Sequence, residues 1–285
     1  MESKSVVVTG ASTGIGLGIT KVLTNKGIRV FGTVRKQADA ERLKQQFGDA
    51  YTPLLMDVTD HATIQQAAAE VKESLGQQNL FGLVNNAGVA VGGPLLHLEV
   101  EELRRQMEIN LIGPFTVTKA FAPLLGAEKG RIGTSGRIVQ ISSVAGKIAP
   151  PFLGAYVASK HALEGMSASL RRELLLYGID VIIVGPGVVI TPIWDKAQDS
   201  DLGRFAPTDY GPIIEGFTEY LIQEGRKGLT AESIGDTVYT ALTTRKPKTR
   251  YAVVPQRFKN WTLPRLLPDR WIDRLIGKQS GLLKK

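Results

Sequence analysis

The sequence predicts an α/β protein: a doubly wound, seven-stranded, mainly parallel sheet with helices on both faces. Three observations predict it. Short apolar runs alternate with longer helix-like segments along most of the chain, as strands joined by crossover helices do. Glycine follows helical segments where they should stop, at Gly27 and Gly178. At 285 residues the chain is long enough to bury such a sheet as one domain.

The elements follow in order. Residues 5–9 read as the first strand, and a helix over 14–26 ends at Gly27. Residues 28–34 form the second strand, followed by a polar helix over 38–47. The third strand covers 51–58 and an Ala-rich helix 62–75. The fourth strand covers 80–85, and a long helix spans about 100–125. A glycine-rich loop over 126–136, expected to be flexible, leads into the fifth strand at 136–141. The second long helix spans about 153–177 and ends at Gly178, before the sixth strand at 179–184. Helices are expected around 212–224 and 231–243, then a short seventh strand at 250–254. The crossovers should be right-handed.

Composition excludes several classes. There is no cysteine, hence no disulfide framework or thiolate metal site. His61, His97 and His161 share no ligand spacing, so no metal is expected. No apolar run reaches the ~20 residues needed to span a bilayer. The start, Met1 to Ser5, reads as cytoplasmic rather than as a cleavable signal. The net charge is +8, but 12 of the 35 basic residues and only 2 of the 27 acidic ones fall after Thr244. The basicity therefore belongs to the tail, and the rest shows no bias toward nucleic acid.

The first strand runs straight into Thr9-Gly10-Ala11-Ser12-Thr13-Gly14-Ile15-Gly16. Glycines there permit a tight turn and close approach of backbone to a pyrophosphate. The next helix directs its free N–H groups at the anion. This pattern is expected to form a Rossmann-type dinucleotide site. A fold that selects NAD places an acid at the end of the second strand, whereas this chain reads Val34-Arg35-Lys36. Arg can grip a 2′-phosphate bidentately, so NADP(H) is favoured over NAD(H). Arg35 is the expected main contact, with Ser12, Thr13 or Lys36 helping.

Tyr156 and Lys160 sit four residues apart, with Ser143 thirteen residues before the tyrosine. On a helix that spacing puts them on one face, a turn apart. A phenol, of pKa ~10, is pulled down by a nearby ammonium, which suits proton exchange with an alcohol or carbonyl oxygen.

Taken together these motifs resemble the short-chain dehydrogenase/reductase family, single-domain type. The match rests on Thr9 to Gly16, Asp57-Val58, Asn85 to Gly88, Asn110, Ile141 to Ser143, Tyr156 to Lys160, Pro186-Gly187 and Thr191. Its look is nearest to hydroxysteroid and retinol dehydrogenase-like members. The resemblance implies that Tyr156 is the acid/base, and that Lys160 lowers its pKa and holds the nicotinamide ribose. Ser143 would hold the substrate oxygen, with Ser142 turned the other way, and Asn110 would anchor a water. It further implies cofactor contacts at Gly10, Gly14, Ile15, Gly16, Asp57, Val58, Asn86, Ala87, Gly88, Pro186, Gly187, Val189 and Thr191. A homodimer or homotetramer is also implied.

Residues 1–285 are thus expected to form one dinucleotide-binding catalytic domain, with a substrate lid at about 188–228 and a basic extension at about 255–285. Ile193, Trp194, Phe205, Tyr210, Phe217 and Tyr220 in the lid, with Leu153 and the stretch 89–95, offer an apolar wall for a bulky alcohol, ketone or aldehyde. The expected function is hydride transfer between NADP(H) and a steroid-, retinoid- or lipid-like substrate. The alternatives are a catalytically idle NADP(H)-binding regulator and a membrane-surface lipid-binding module. In the tail, Asp269 is expected to cap a short helix that Gly277 ends, with Trp271, Ile272, Leu275 and Ile276 on one face. Docking of this helix over the substrate mouth or a neighbouring subunit is favoured over peripheral contact with an anionic membrane.

Overall fold

The computed structural model describes residues 4–191 and 202–283. The chain alternates β1 (Ser5–Val8), α1 (Gly14–Asn25), β2 (Arg29–Val34), α2 (Gln37–Phe47), β3 (Tyr51–Leu55), α3 (His61–Leu75) and β4 (Gly82–Asn85). Then follow α4 (Val100–Met107), α5 (Gly113–Phe121), β5 (Arg137–Ile141), α6 (Gly154–Glu173) and β6 (Asp180–Pro186). After these come α7 (Gly211–Arg226), α8 (Ala231–Thr243), β7 (Arg250–Val253) and α9 (Asp269–Gln279). The strands join in the order β3-β2-β1-β4-β5-β6-β7. Every neighbouring pair is parallel, so "mainly" understated the sheet.

Strands buried on both faces carry near-continuous Val and Ile, and β1 is wholly buried. One core layer packs α1, α2 and α8 against the sheet, around Ile19, Leu23, Ile234 and Val238. The opposite layer joins Ile64, Val71, Val117 and Phe121 from α3 and α5 to the other face. Chain order reverses between β1 and β4, the place where doubly wound sheets form a ligand crevice at the carboxyl ends of their strands.

Several expectations shift. The third strand stops at Leu55, so Asp57 lies beyond it and accepts from the N–H (2.9 Å) and hydroxyl (2.8 Å) of Thr59. The helix expected at 100–125 is broken by a wide π turn, Glu108–Ile112, in which Gly113 N–H reaches the Glu108 carbonyl. The 126–136 loop is pinned: Asn79 and Ile132 N–H donate to the Ile132 and Gln77 carbonyls, at 2.9 and 2.8 Å. Asp269 does not cap α9; it is the first helical residue, after Pro268, and the helix runs past Gly277 to Gln279. Gly277 is instead buried, and an added Cβ there would stand 3.0 Å from Leu283.

Candidate active site

Conformation and space explain the glycine loop. Gly10 and Gly14 have φ of 66° and 55°, a region disfavoured for residues with a Cβ. A Cβ on Gly16 would lie 2.1 Å from the Gly10 carbonyl oxygen, so only glycine lets α1 start so near the turn. Thr13 N-caps α1 without a side-chain bond, and no acid stands in the first turn. The first N–H groups are thus left for an outside anion. These features fit a dinucleotide pyrophosphate.

Neighbouring strands brace the loop. The Thr9 hydroxyl accepts from the N–H groups of Asn86 (2.9 Å) and Ala87 (3.0 Å). The Asn86 amide donates to the carbonyls of Thr9 (2.8 Å) and Gly10 (3.2 Å). Asn86 therefore shapes the loop with its side chain. Thr191 comes back over Gly14, 3.3 Å from where a Cβ would be. Gly187 donates to Val253 (2.9 Å), and Val189 is buried and bridged to Leu229. Ile15 packs against the core, Val58 is buried against Gly113, and Pro186 ends β6. Arg35 is 70% exposed and only loosely paired with Asp57, at 3.9 Å. Arg42, which the sequence did not single out, donates to the Ser12 carbonyl and to Asp39, each at 2.9 Å.

The second cluster sits where β5 ends and α6 begins. Ser143 follows β5; its hydroxyl accepts from Ala145 N–H (3.1 Å) and lies 3.5 Å from the Pro186 carbonyl, to which it donates, and its hydrogen bonding with the Tyr156 phenol acts to lower that group's pKa. Burial acts more strongly in the opposite sense and raises Tyr156 above its ordinary value. Burial thus acts against the lowering expected from Lys160. The ammonium lies 5.7 Å from the phenol ring centroid and donates instead to the Ile141 carbonyl, at 2.9 Å. Burial pushes Lys160 itself down to about 8, with Glu164 opposing. Ser142 turns away and donates to Glu164 at 2.9 Å.

Asn110 lies in the π turn, fully buried. Its amide donates to the Val89 carbonyl (2.9 Å) and Ser159 (3.2 Å), and its oxygen accepts from Val89 N–H (2.9 Å). Gly88 leaves room, since a Cβ there would stand 3.2 Å from that oxygen. Gln106, one turn earlier, bonds the Val89 carbonyl and Val91 N–H, each at 2.8 Å. Its position four residues before Asn110 was the signal that could have found it.

Beside the site lies an apolar cavity of about 480 Å³, lined by Leu95, Pro151, Phe152, Val157, Tyr210 and Leu282 among others. Val157 is turned about 100° round α6 from Tyr156, so the cavity flanks the phenol. A small separate core forms its wall: Phe152, Phe205 and Ile214, with Tyr210, Phe217 and Leu282 packed against them. Ile193 and Trp194 lie outside the described residues, as does the side chain of Tyr220.

A parallel sheet of this order, a glycine loop after its first strand and a Tyr–Lys pair beside the crevice define a dinucleotide-dependent oxidoreductase fold. The family model "short chain dehydrogenase" matches residues 4–201, and the chain belongs to that family. The NADPH-dependent 3-dehydrocapnine reductase of Ornithobacterium rhinotracheale is 38% identical over 272 residues, 95% of each chain. Retinol dehydrogenase 5 of Mus musculus is 33% identical, over 95% of this chain and 87% of its own. A solved short-chain dehydrogenase from Streptomyces avermitilis superposes with a TM-score of 0.77 at 28% identity, covering 100% of both chains. The closed form of serine dehydrogenase complexed with NADP+ gives 0.75 at 27%, covering 88% of this chain and 94% of its own.

Proposed function

We propose that the chain is an NADP(H)-dependent oxidoreductase interconverting a bulky apolar alcohol with its ketone or aldehyde, of steroid-, retinoid- or lipid-like kind. The observation that carries this reading is the convergence of Ser143, Tyr156 and Lys160 at the end of β5, beside the loop built by Gly10, Gly14 and Gly16. When bound, the nicotinamide supplies hydride exchange with the substrate carbon. The chain supplies proton and position. Tyr156, kept protonated by burial, gives its proton to the carbonyl oxygen during reduction, while the Ser143 hydroxyl donates to the same oxygen. Lys160 holds the ribose side, and Asn110 fixes Val89 and the wall of the crevice.

Gly10 to Gly16, Asn86 to Gly88 and Gly187 to Thr191 would frame the cofactor, with Asp57 and Val58 toward its adenine. Arg35, Lys36 and Arg42 supply cations where a 2′-phosphate would sit, and the names of two relatives, one NADPH-dependent and one complexed with NADP+, support the choice. The apolar cavity and the aromatic packing around Phe152 support a bulky apolar substrate. The retinol dehydrogenase among the relatives points the same way.

Fluorescence titration with NADPH and NADH, followed by a carbonyl panel with the tighter cofactor, tests the reading. Tight NADPH binding with no turnover would favour an idle regulator.

Leu282, packed on the wall of the cavity, supports docking of the tail beside the substrate mouth, and a peripheral membrane role is the second reading. Phe258, Leu266, Trp271 and Leu275 are exposed among Arg257, Lys259, Arg270 and Arg274, the pairing that suits an anionic bilayer surface. Sedimentation with anionic vesicles should weaken with salt and vanish without residues 255–285; salt-independent or absent binding removes this role. Exposed Leu103 on α4, Ile112 in the π turn and Phe115 on α5 support a homodimer or homotetramer, which sedimentation velocity tests.

A further inference from the structure

The most heavily built feature outside the reacting groups lies directly behind them. Glu164 stands one turn beyond Lys160 on α6 and is 2% exposed. A buried carboxylate costs several kcal/mol unless donors surround it. Here Arg250, the first residue of β7, meets it through Nε (3.1 Å) and Nη2 (2.9 Å), Ser142 donates at 2.9 Å, and Lys147 stands at 3.3 Å. Arg250 Nη2 also donates to the Ser143 carbonyl at 3.0 Å.

Two glycines make the space. A Cβ on Gly185 would lie 2.4 Å from Arg250 Nη2, and one on Gly146 would lie 2.6 Å from Glu164 Oε1. Trp261 of the C-terminal segment covers the guanidinium, its ring centroid 4.1 Å away. Buried pairs are weak sources of stability compared with apolar side chains of like volume. This one also leaves Arg250 Nη1 buried without a partner. What it does achieve is contact with both ends of the proposed site: the Ser143 backbone on one side and, through α6, Lys160 on the other.

We propose that Glu164 and Arg250, roofed by Trp261, are positioning residues of the reaction: Arg250 tethers the Ser143 backbone so that its hydroxyl faces Tyr156, and Glu164 supplies the negative charge facing Lys160. The proposal rests on the oxidoreductase reading. The charged and titratable groups around Lys160 and Glu164 are Tyr156, Lys147 and Arg250, so the two roles separate by substitution. Arg250→Lys keeps the charge against Glu164 but loses the fork that also reaches Ser143. It should lower kcat about 10- to 100-fold, with KM and NADPH affinity little changed and Lys160 titrating as before. Glu164→Gln removes a charge that favours the ammonium; the Lys160 side-chain resonance, followed by NMR in the free protein, should then titrate at lower pH than in wild type.

The double variant Glu164→Leu/Arg250→Met strands neither charge and guards against simple unfolding. Folded and NADPH-binding, it should show both losses. Wild-type kcat in the double variant and in Arg250→Lys, or an unmoved Lys160 titration in Glu164→Gln, would overturn the proposal. If the wild-type protein turned over no carbonyl at all, the oxidoreductase reading would fall by itself, and the NMR titration would still decide the role of Glu164.

Discussion

The glycine loop after β1 and the aromatic cluster around α7 border the same crevice, but they are specified in different ways. At the loop, backbone geometry leaves almost no choice: Gly16 has 2.1 Å where a methyl would go, and Asn86 and Thr9 fix the carbonyls and N–H groups around it. At the cluster, Phe152 meets Tyr210 and Phe217 edge-on at 5.9 and 5.2 Å, with Phe205 in the same core, and cores of this kind tolerate other apolar sets of like volume. The contrast also runs through strain. Phe152, just before α6, holds φ at 60°, a cost of order 1–3 kcal/mol for a residue with a Cβ that its packing offsets.

The largest effect expected is at neither border. Tyr156→Phe should cut kcat by about 10²–10⁴-fold while NADPH fluorescence titration stays near wild type; parallel loss of binding would place the phenol in the wrong role. Next, Gly16→Ala should weaken NADPH binding by about 100-fold or more, since the carbonyl it strikes cannot move without opening the loop. In α7, Gly216 has nothing within 4 Å of an added Cβ. Gly216→Ala should therefore raise stability by about 0.5–1 kcal/mol, read as a higher Tm. If the two alanines behaved alike, the contrast drawn here would be broken.

Arg35→Asp should move cofactor selectivity toward NADH by about 10-fold or more; unchanged selectivity would shift the 2′-phosphate contact to Arg42 or Lys36. The mildest test is pH. Burial holds Lys160 at about 8, below its ordinary value, so the ammonium is present below that pH and lost above it. Reduction should fall gradually as pH rises through about 8, and a flat profile there would separate Lys160 from the proton chemistry.

Sequence legibility divides along the same line. Apolar runs marked all seven strands, most clearly the wholly buried β1 and β4 and least clearly the half-buried edge strand β7. Gly10, Gly14, Tyr156, Lys160 and Ser143 were legible because local geometry constrains their spacing. Arg250 was not: it lies 86 residues from Glu164, and only the sheet order brings β7 beside β6. The π turn at Glu108–Ile112 escaped as well, since one extra residue in a helical turn leaves the apolar pattern almost unchanged. The phenol's burial was illegible for a related reason: spacing reports the ammonium on the same face, while burial, which exceeds the effect of the Ser143 hydrogen bond, depends on the whole packed surroundings.

Strand order also sets a timetable. Synthesis delivers the glycine loop first, then Ser143, Tyr156 and Glu164, and Arg250 only with the final strand at the sheet's far edge. A nascent or truncated chain stopping short of β7 would carry every reacting side chain, yet its acidic residue on α6 would lack the guanidinium. On the proposed roles, docking of the edge strand would bring the guanidinium to Glu164 and to the Ser143 carbonyl, and Trp261, further along the chain, would then cover it.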